Sequence, residues 1–399
     1  MFFIYSFFYH ILLFLQNNHN LPEMLKHFTH ILSLFIFMSL SVMSQSCSDN
    51  KNEPEIISKR TVLVYAIATN SLNGYDDEDI DEMKKAIVSI GDTDCRLLVY
   101  RVSYNNAVPK LFEIYNNNGK AATRVLKEYD ATTKQSVTTR RMNTVIRDAI
   151  SLAPAKDYGL VLWSHSLGWA LTKSSASDNR LRNFGEDYGA TMPIDSLAYA
   201  IPDNTFSFIW ADACYMGSIE IAYELKNDTH YFIGSPTETI SYGMPYDMNV
   251  PCFFSDKPDL KKACANVYNF YNALTGEYRS ATICLVDCTK LDAVAAACKK
   301  IDIANKNIDT STLQCYNSSS NRFFFDFLQT YKQIASESDY NQLLKAYSQA
   351  VIYKAATPQF IGMAINPDNF SGLSTYVMGS STTRNEQSYK QLMWYKSIY

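Results

Sequence analysis

Histidine is scarce in this chain. Six occur in 399 residues, at positions 10, 19, 27, 30, 165 and 230. The nine cysteines form no C-x-x-C pair, which argues against a structural zinc site. Lys and Arg total 36 against 40 Asp and Glu, a formal charge of −4. No basic stripe or long block of like charge occurs, so there is no electrostatic case for nucleic acid binding. No internal repeat is seen. Neither Ser164 nor Ser166 lies in a G-x-S-x-G turn, which leaves a serine hydrolase poorly supported.

What is present divides at Cys47. Residues 1–46 carry one base, Lys26, and one acid, Glu23. Met24-Leu-Lys-His opens a short basic segment, and an apolar run from Ile31 to Met43 follows. That run is too short to span a bilayer comfortably. It ends in small residues before "CSDNKNEPE". This is the layout of a secretory signal, with Cys47 as a bacterial lipoprotein acceptor and residues 47–58 as a polar tether. Ser44 departs from that pattern, where Leu is usual. Residues 1–23 read as an upstream extension from a misplaced start codon. The alternative is a two-segment membrane anchor. With export, no cofactor is required by the composition, and a Ca2+ requirement stays open.

The rest, 59–399, alternates apolar runs with helical patterns. Arg60–Thr69, Cys95–Val102, Tyr158–Trp163, Phe206–Ala211 and Ala281–Val286 read as strands buried on both faces. Such alternation predicts an α/β fold, a mostly parallel sheet sandwiched by helices. From about 256 the chain reads as more helical. "FFFDFLQTYKQIA" and "DYNQLLKAYSQAVIYKA" are expected helices and "SGLSTYVMG" a further strand. Cys284 and Cys288 are expected in the core.

Catalytic groups in such sheets sit beyond the carboxyl ends of strands. Two expected strands end there in chemistry, one in Ser164-His165 and one in Asp212-Ala213-Cys214. Export past Cys47 leaves only His165 and His230, so a three-histidine metal site is excluded. His230 stands at the start of an expected strand, on the opposite edge. His165 precedes Cys214 by 49 residues, and a thiol needs a nearby base to become a thiolate. An Ala-Cys step with a His about 50 residues upstream is the caspase-type arrangement. "YMGSIEIAYELK" has apolar positions at helical spacing, so Cys214 is expected at a helix N-terminus.

The blocks "GLVLWSHSLGW" and "FSFIWADACYMGSIEIAYEL" resemble the clostripain family of cysteine peptidases, relatives of caspases, legumain and gingipains. The resemblance extends over most of Lys59–Tyr399. It implies a caspase-like fold, with Cys214 as nucleophile and His165 as general acid/base. The N–H groups of Cys214 and Ser166 would form the oxyanion hole. Asp212 matches the acid that pairs with Arg or Lys at P1. The other reading of Asp212 is a cap for the following helix.

Two positions depart from the family pattern. Ser166 stands where Gly is usual, and Tyr242 where a second S1 acid often stands. Glu238 or Asp247 could replace that acid. Protein or peptide substrates are implied, with a monomer as the expected state. Relatives are often zymogens cut between the catalytic His and Cys. Here that segment carries Lys173, Arg180 and Arg182, and a cut would leave two associated chains. The competing function is a degenerate surface lipoprotein that binds peptide or glycoprotein.

Overall fold

Nine strands form one sheet, and its middle is parallel. They are β1 (Arg60–Ala68), β2 (Cys95–Ser103), β3 (Lys110–Asn117), β4 (Lys120–Glu128), β5 (Tyr158–Trp163), β6 (Phe206–Asp212), β7 (Thr229–Gly234), β8 (Thr282–Asp287) and β9 (Val351–Ala356). The order across the sheet is β9-β8-β7-β6-β5-β1-β2-β3-β4. From β7 to β2 all neighbours run parallel. Antiparallel strands extend both sides. This computed structural model describes residues 57–106, 108–170, 184–303, 306–317, 322–379 and 384–399.

Every residue of β1 is buried, as a strand covered on both faces must be. Its alternate side chains feed two cores. Val62, Val64, Ala66 and Ala68 pack with α1 (Tyr75–Ile90) and with two later helices, Tyr246–Phe254 and Leu260–Asn272. Leu63, Tyr65 and Ile67 pack with α2 (Thr139–Leu152) and with the C-terminal elements. The result is a three-layer α/β sandwich, as expected. Strand order reverses beside β1, because β2 lies on one side of it and β5 on the other. The carboxyl ends of β1, β5 and β6 therefore share one rim.

Three local expectations fail. The helix expected through Ala355 is α3 (Glu337–Ala350), and "VIYKAA" leaves it as β9. Val351 and Tyr353 pair there against Val286 and Leu285 of β8, with β-branched Ile352 at a bulge between them. "FFFDFLQTYKQIA" starts as a two-residue strand, Phe325–Asp326, and becomes helical only at Phe327. Within "SGLSTYVMG" only Ser374–Thr375 is strand, paired with Phe325–Asp326. Cys284 and Cys288 are buried in the same core. All eight cysteines of the described residues are free thiols.

Candidate active site

Strands β5 and β6 end in register, with Trp163 opposite Asp212. The chain then leaves the sheet as Ser164-His165 on one side and Ala213-Cys214 on the other. Ser164 is structural: its Oγ donates to the Ile67 carbonyl at 2.9 Å and accepts from Glu186 N–H at 3.1 Å. His165 is half-buried, and its carbonyl accepts from Gly185 N–H at 2.9 Å. Its Nε2 lies 2.7 Å from Ser71 Oγ. Ser71 is presented by the turn after β1, which buried Asn70 braces. The Asn70 Nδ2 donates to the carbonyls of Ile67 (3.0 Å) and Glu186 (2.8 Å), and its Oδ1 accepts from Leu72 N–H (2.9 Å).

Cys214 is also half-buried, and its Sγ accepts from Thr239 N–H at 3.2 Å. The next residues run along the segment after β7. Tyr215 N–H donates to the Thr237 carbonyl at 2.8 Å, and Gly217 N–H to the Ser235 carbonyl at 2.7 Å. A Cβ on Gly217 would meet Pro236 N at 2.5 Å, so only glycine allows this approach. The helix that follows begins only at Ile219, capped by Ser218, whose Oγ accepts from Ile221 N–H. Cys214 is therefore not at a helix N-terminus, and Asp212 does not cap the helix. Burial pushes the Cys214 thiol up to about 12, against the Thr239 N–H bond; the Glu238 and Asp212 charges add to the rise.

Asp212 is 7% exposed. Its Oδ2 accepts from Met244 N–H and from the Tyr246 hydroxyl, each at 3.1 Å. Gly243 has φ 62°, and a Cβ there would sit 3.0 Å from the carboxylate. Burial raises Asp212 to about 6, held down by those two hydrogen bonds. Asp79 of α1 is close enough to feel it. Burial, then the Asp212 charge, raise Asp79 to about 9, opposed by a 2.6 Å hydrogen bond from Trp163 Nε1.

A cavity of about 350 Å3 joins these groups, lined among others by His165, Ser166, Asp212, Cys214 and Glu238. Glu238 accepts from the Tyr215 hydroxyl at 2.8 Å. Ser166 needs no glycine conformation, since positive φ falls instead on Gly168. Tyr242 does not line this cavity; it is 43% exposed and stacks on Tyr278. Asp247 is exposed in the first turn of its helix. His230 is exposed at the amino end of β7. Cys47, Lys173, Arg180 and Arg182 lie outside the described residues.

A half-buried thiol and an imidazole in one cavity, with a buried acid beside them, suit nucleophilic attack on an acyl group. The family model for the clostripain family matches residues 64–396. The chain belongs to the clostripain family. It is a cysteine peptidase, and hence a hydrolase. This clostripain-family peptidase is similar to a secreted C11 cysteine protease from Bacteroides thetaiotaomicron, solved with an irreversible peptide inhibitor. They share 31% identity over 85% of this chain and 98% of that one, with a TM-score of 0.74. It is also similar to an inactive zymogen C11 protease from Parabacteroides distasonis: 31% identity, 86% and 99% covered, TM-score 0.76. No curated protein matches it.

The peptidase site also holds groups that sequence reasoning missed. Ser71, Thr239 and Asp79 reach it only through space, from three separate segments. Asp79 belongs to the visible acidic stretch "YDDEDIDEM". Nothing in that stretch distinguishes it from its exposed neighbours.

Proposed function

We propose that this chain is an exported, lipid-anchored cysteine endopeptidase that cleaves after Arg or Lys. One observation carries the reading: Cys214, His165 and Asp212 open into one cavity at the ends of adjacent parallel strands. Cys214 Sγ attacks the scissile carbonyl as its proton passes to His165. The carbonyl oxygen takes the negative charge and is held by the N–H groups of Cys214 and Ser166. His165 gives the proton to the leaving amine as the C–N bond breaks. Water then attacks the thioester, with His165 as base, and frees the thiol. Ser71 holds the ring through Nε2 throughout. Asp212 takes the P1 cation, bidentately for Arg and as a point charge for Lys, with Glu238 at the same cavity.

The uncut chain is a precursor in this reading, cut in the segment between His165 and Cys214. Cleavage after Arg180 or Arg182, less readily after Lys173, gives two chains that stay together because both supply strands to one sheet. Export to Cys47 and its acylation put the enzyme on a membrane surface. No metal or cofactor takes part in the chemistry, and the enzyme acts as a monomer on peptides and proteins. Turnover of fluorogenic peptides with Arg, Lys, Leu or Asp at P1 tests this. Arg and Lys peptides are expected to be cut, and Cys214→Ala to cut none. Equal rates for all four, or turnover by Cys214→Ala, contradicts it.

A further inference from the structure

We infer that a second cavity beside His165 is the subsite for residues after the scissile bond, and that Glu186 makes it select a basic side chain. The inference rests on the dyad reading above. It follows from which side of the dyad each half of the substrate must occupy. The acyl half bonds to Cys214 with its P1 side chain toward Asp212. The leaving amine receives its proton from His165, so the residues behind that amine run past the imidazole. There a cavity of about 370 Å3 opens, lined by Ser71, His165, Leu167, Glu186 and Thr191 among others. Asp212 and Cys214 line the first cavity and do not line this one.

Glu186 sits on a four-residue strand, Phe184–Asp187, whose register against Ala190–Met192 shifts at a bulge. Its neighbour Asp187 is buried and fully engaged, accepting from Thr69 Oγ1 at 2.7 Å and Ser136 N–H at 3.0 Å. Glu186 is half-buried at the cavity wall. Its backbone is fixed by Ser164 Oγ and Asn70 Nδ2, while its carboxylate has no hydrogen bond or ion pair among the described residues. An unpaired carboxylate held on a braced strand at the mouth of a cleft attracts a cation. The favoured substrates are then peptides with a base on each side of the cut bond. The chain itself contains that pattern at Arg180-Leu181-Arg182, where a cut after Arg180 leaves Arg182 two residues on. A cut after Arg182 is followed by Asn183 and Phe184.

The test compares peptides that differ only at the first two positions after the cut, Lys against Glu. Rates are taken per active site, titrated with an acyloxymethyl ketone carrying Lys, which occupies only the acyl side. The wild type is expected to favour Lys by about fivefold at low ionic strength, the range of a half-exposed ion pair. Glu186→Gln should bring the two rates together, and Glu186→Lys should reverse them. A wild-type preference that survives in both variants overturns the subsite. A wild type that takes no label overturns the dyad reading instead, and this inference with it.

Discussion

In the proposed reading, the two sides of His165 present a substrate with carboxylates in opposite conditions. On the proposed acyl side Asp212 is buried and braced, and Asp79 behind it is buried too. On the proposed leaving side Glu186 stands at an open cavity, its carboxylate without a hydrogen bond or ion pair among the described residues. Burial makes a carboxylate expensive to charge, so it recognises a cation strongly but only when ionised. An accessible carboxylate recognises a cation weakly and is screened by salt. On that proposal, selectivity on the acyl side would be tied to pH, and selectivity on the leaving side to ionic strength.

The largest effect that bears on this contrast is loss of the group shared by both sides. His165→Ala should lower kcat by about 10²–10⁴-fold on every peptide, while His230→Ala, at the far edge, leaves rates intact. Steady-state kinetics of the two variants checks the assignment. Next comes Asp212. It should lose its charge as pH falls through about 6, so kcat/KM for Arg peptides should drop there. In Asp212→Asn that preference should fall by about 10–100-fold, as for one buried charge-assisted pair. A preference for Arg that persists in Asp212→Asn breaks the comparison.

Asp79 sharpens it from the stability side. Its folded pKa, about 9, lies above the ordinary 3.8. The folded state keeps a proton over that window that the unfolded state has released, so stability falls as pH rises from about 4 to 9. Asn can still accept from Trp163 Nε1 without carrying a charge. Asp79→Asn should therefore raise stability near pH 7, by up to roughly 4 kcal/mol, and change little at pH 4. Denaturant unfolding at the two pH values measures this, and a less stable variant at pH 7 contradicts it. The smallest effect is expected at Ser71. Ser71→Ala should lower kcat severalfold, about the worth of one hydrogen bond, with KM unchanged and the pH profile moved. Ser71→Thr should restore it.

How much of this was legible in the sequence follows from where burial is continuous. Strands β1, β5 and β6 announce themselves as apolar runs because helices cover both faces, and β2 does so between Arg96 and Arg101. The β3–β4 hairpin was missed, since β4 is largely exposed and Val125 faces solvent. The turn from α3 into β9 lacks Gly or Pro, so the helical pattern reads straight through it. The placement of His165 and Cys214 at neighbouring strand ends was readable because each follows a buried strand. The position of Cys214 relative to a helix was not. The close approach of Gly217 to Pro236 inserts a turn before the helix, and that contact exists only in the folded chain. Tyr242 stood at the expected place in the sequence, yet its side chain turns outward to Tyr278.

The central claim is that Cys214 is the nucleophile of a site that accepts a basic P1 residue. Its most direct test is mass spectrometry of the protein treated with a Lys acyloxymethyl ketone after cleavage within residues 171–183. One adduct on Cys214 is expected, absent from Cys214→Ala and weak in the uncut chain. An adduct on another cysteine, or unlabelled Cys214 in a sample that cleaves Arg or Lys peptides, would contradict the account.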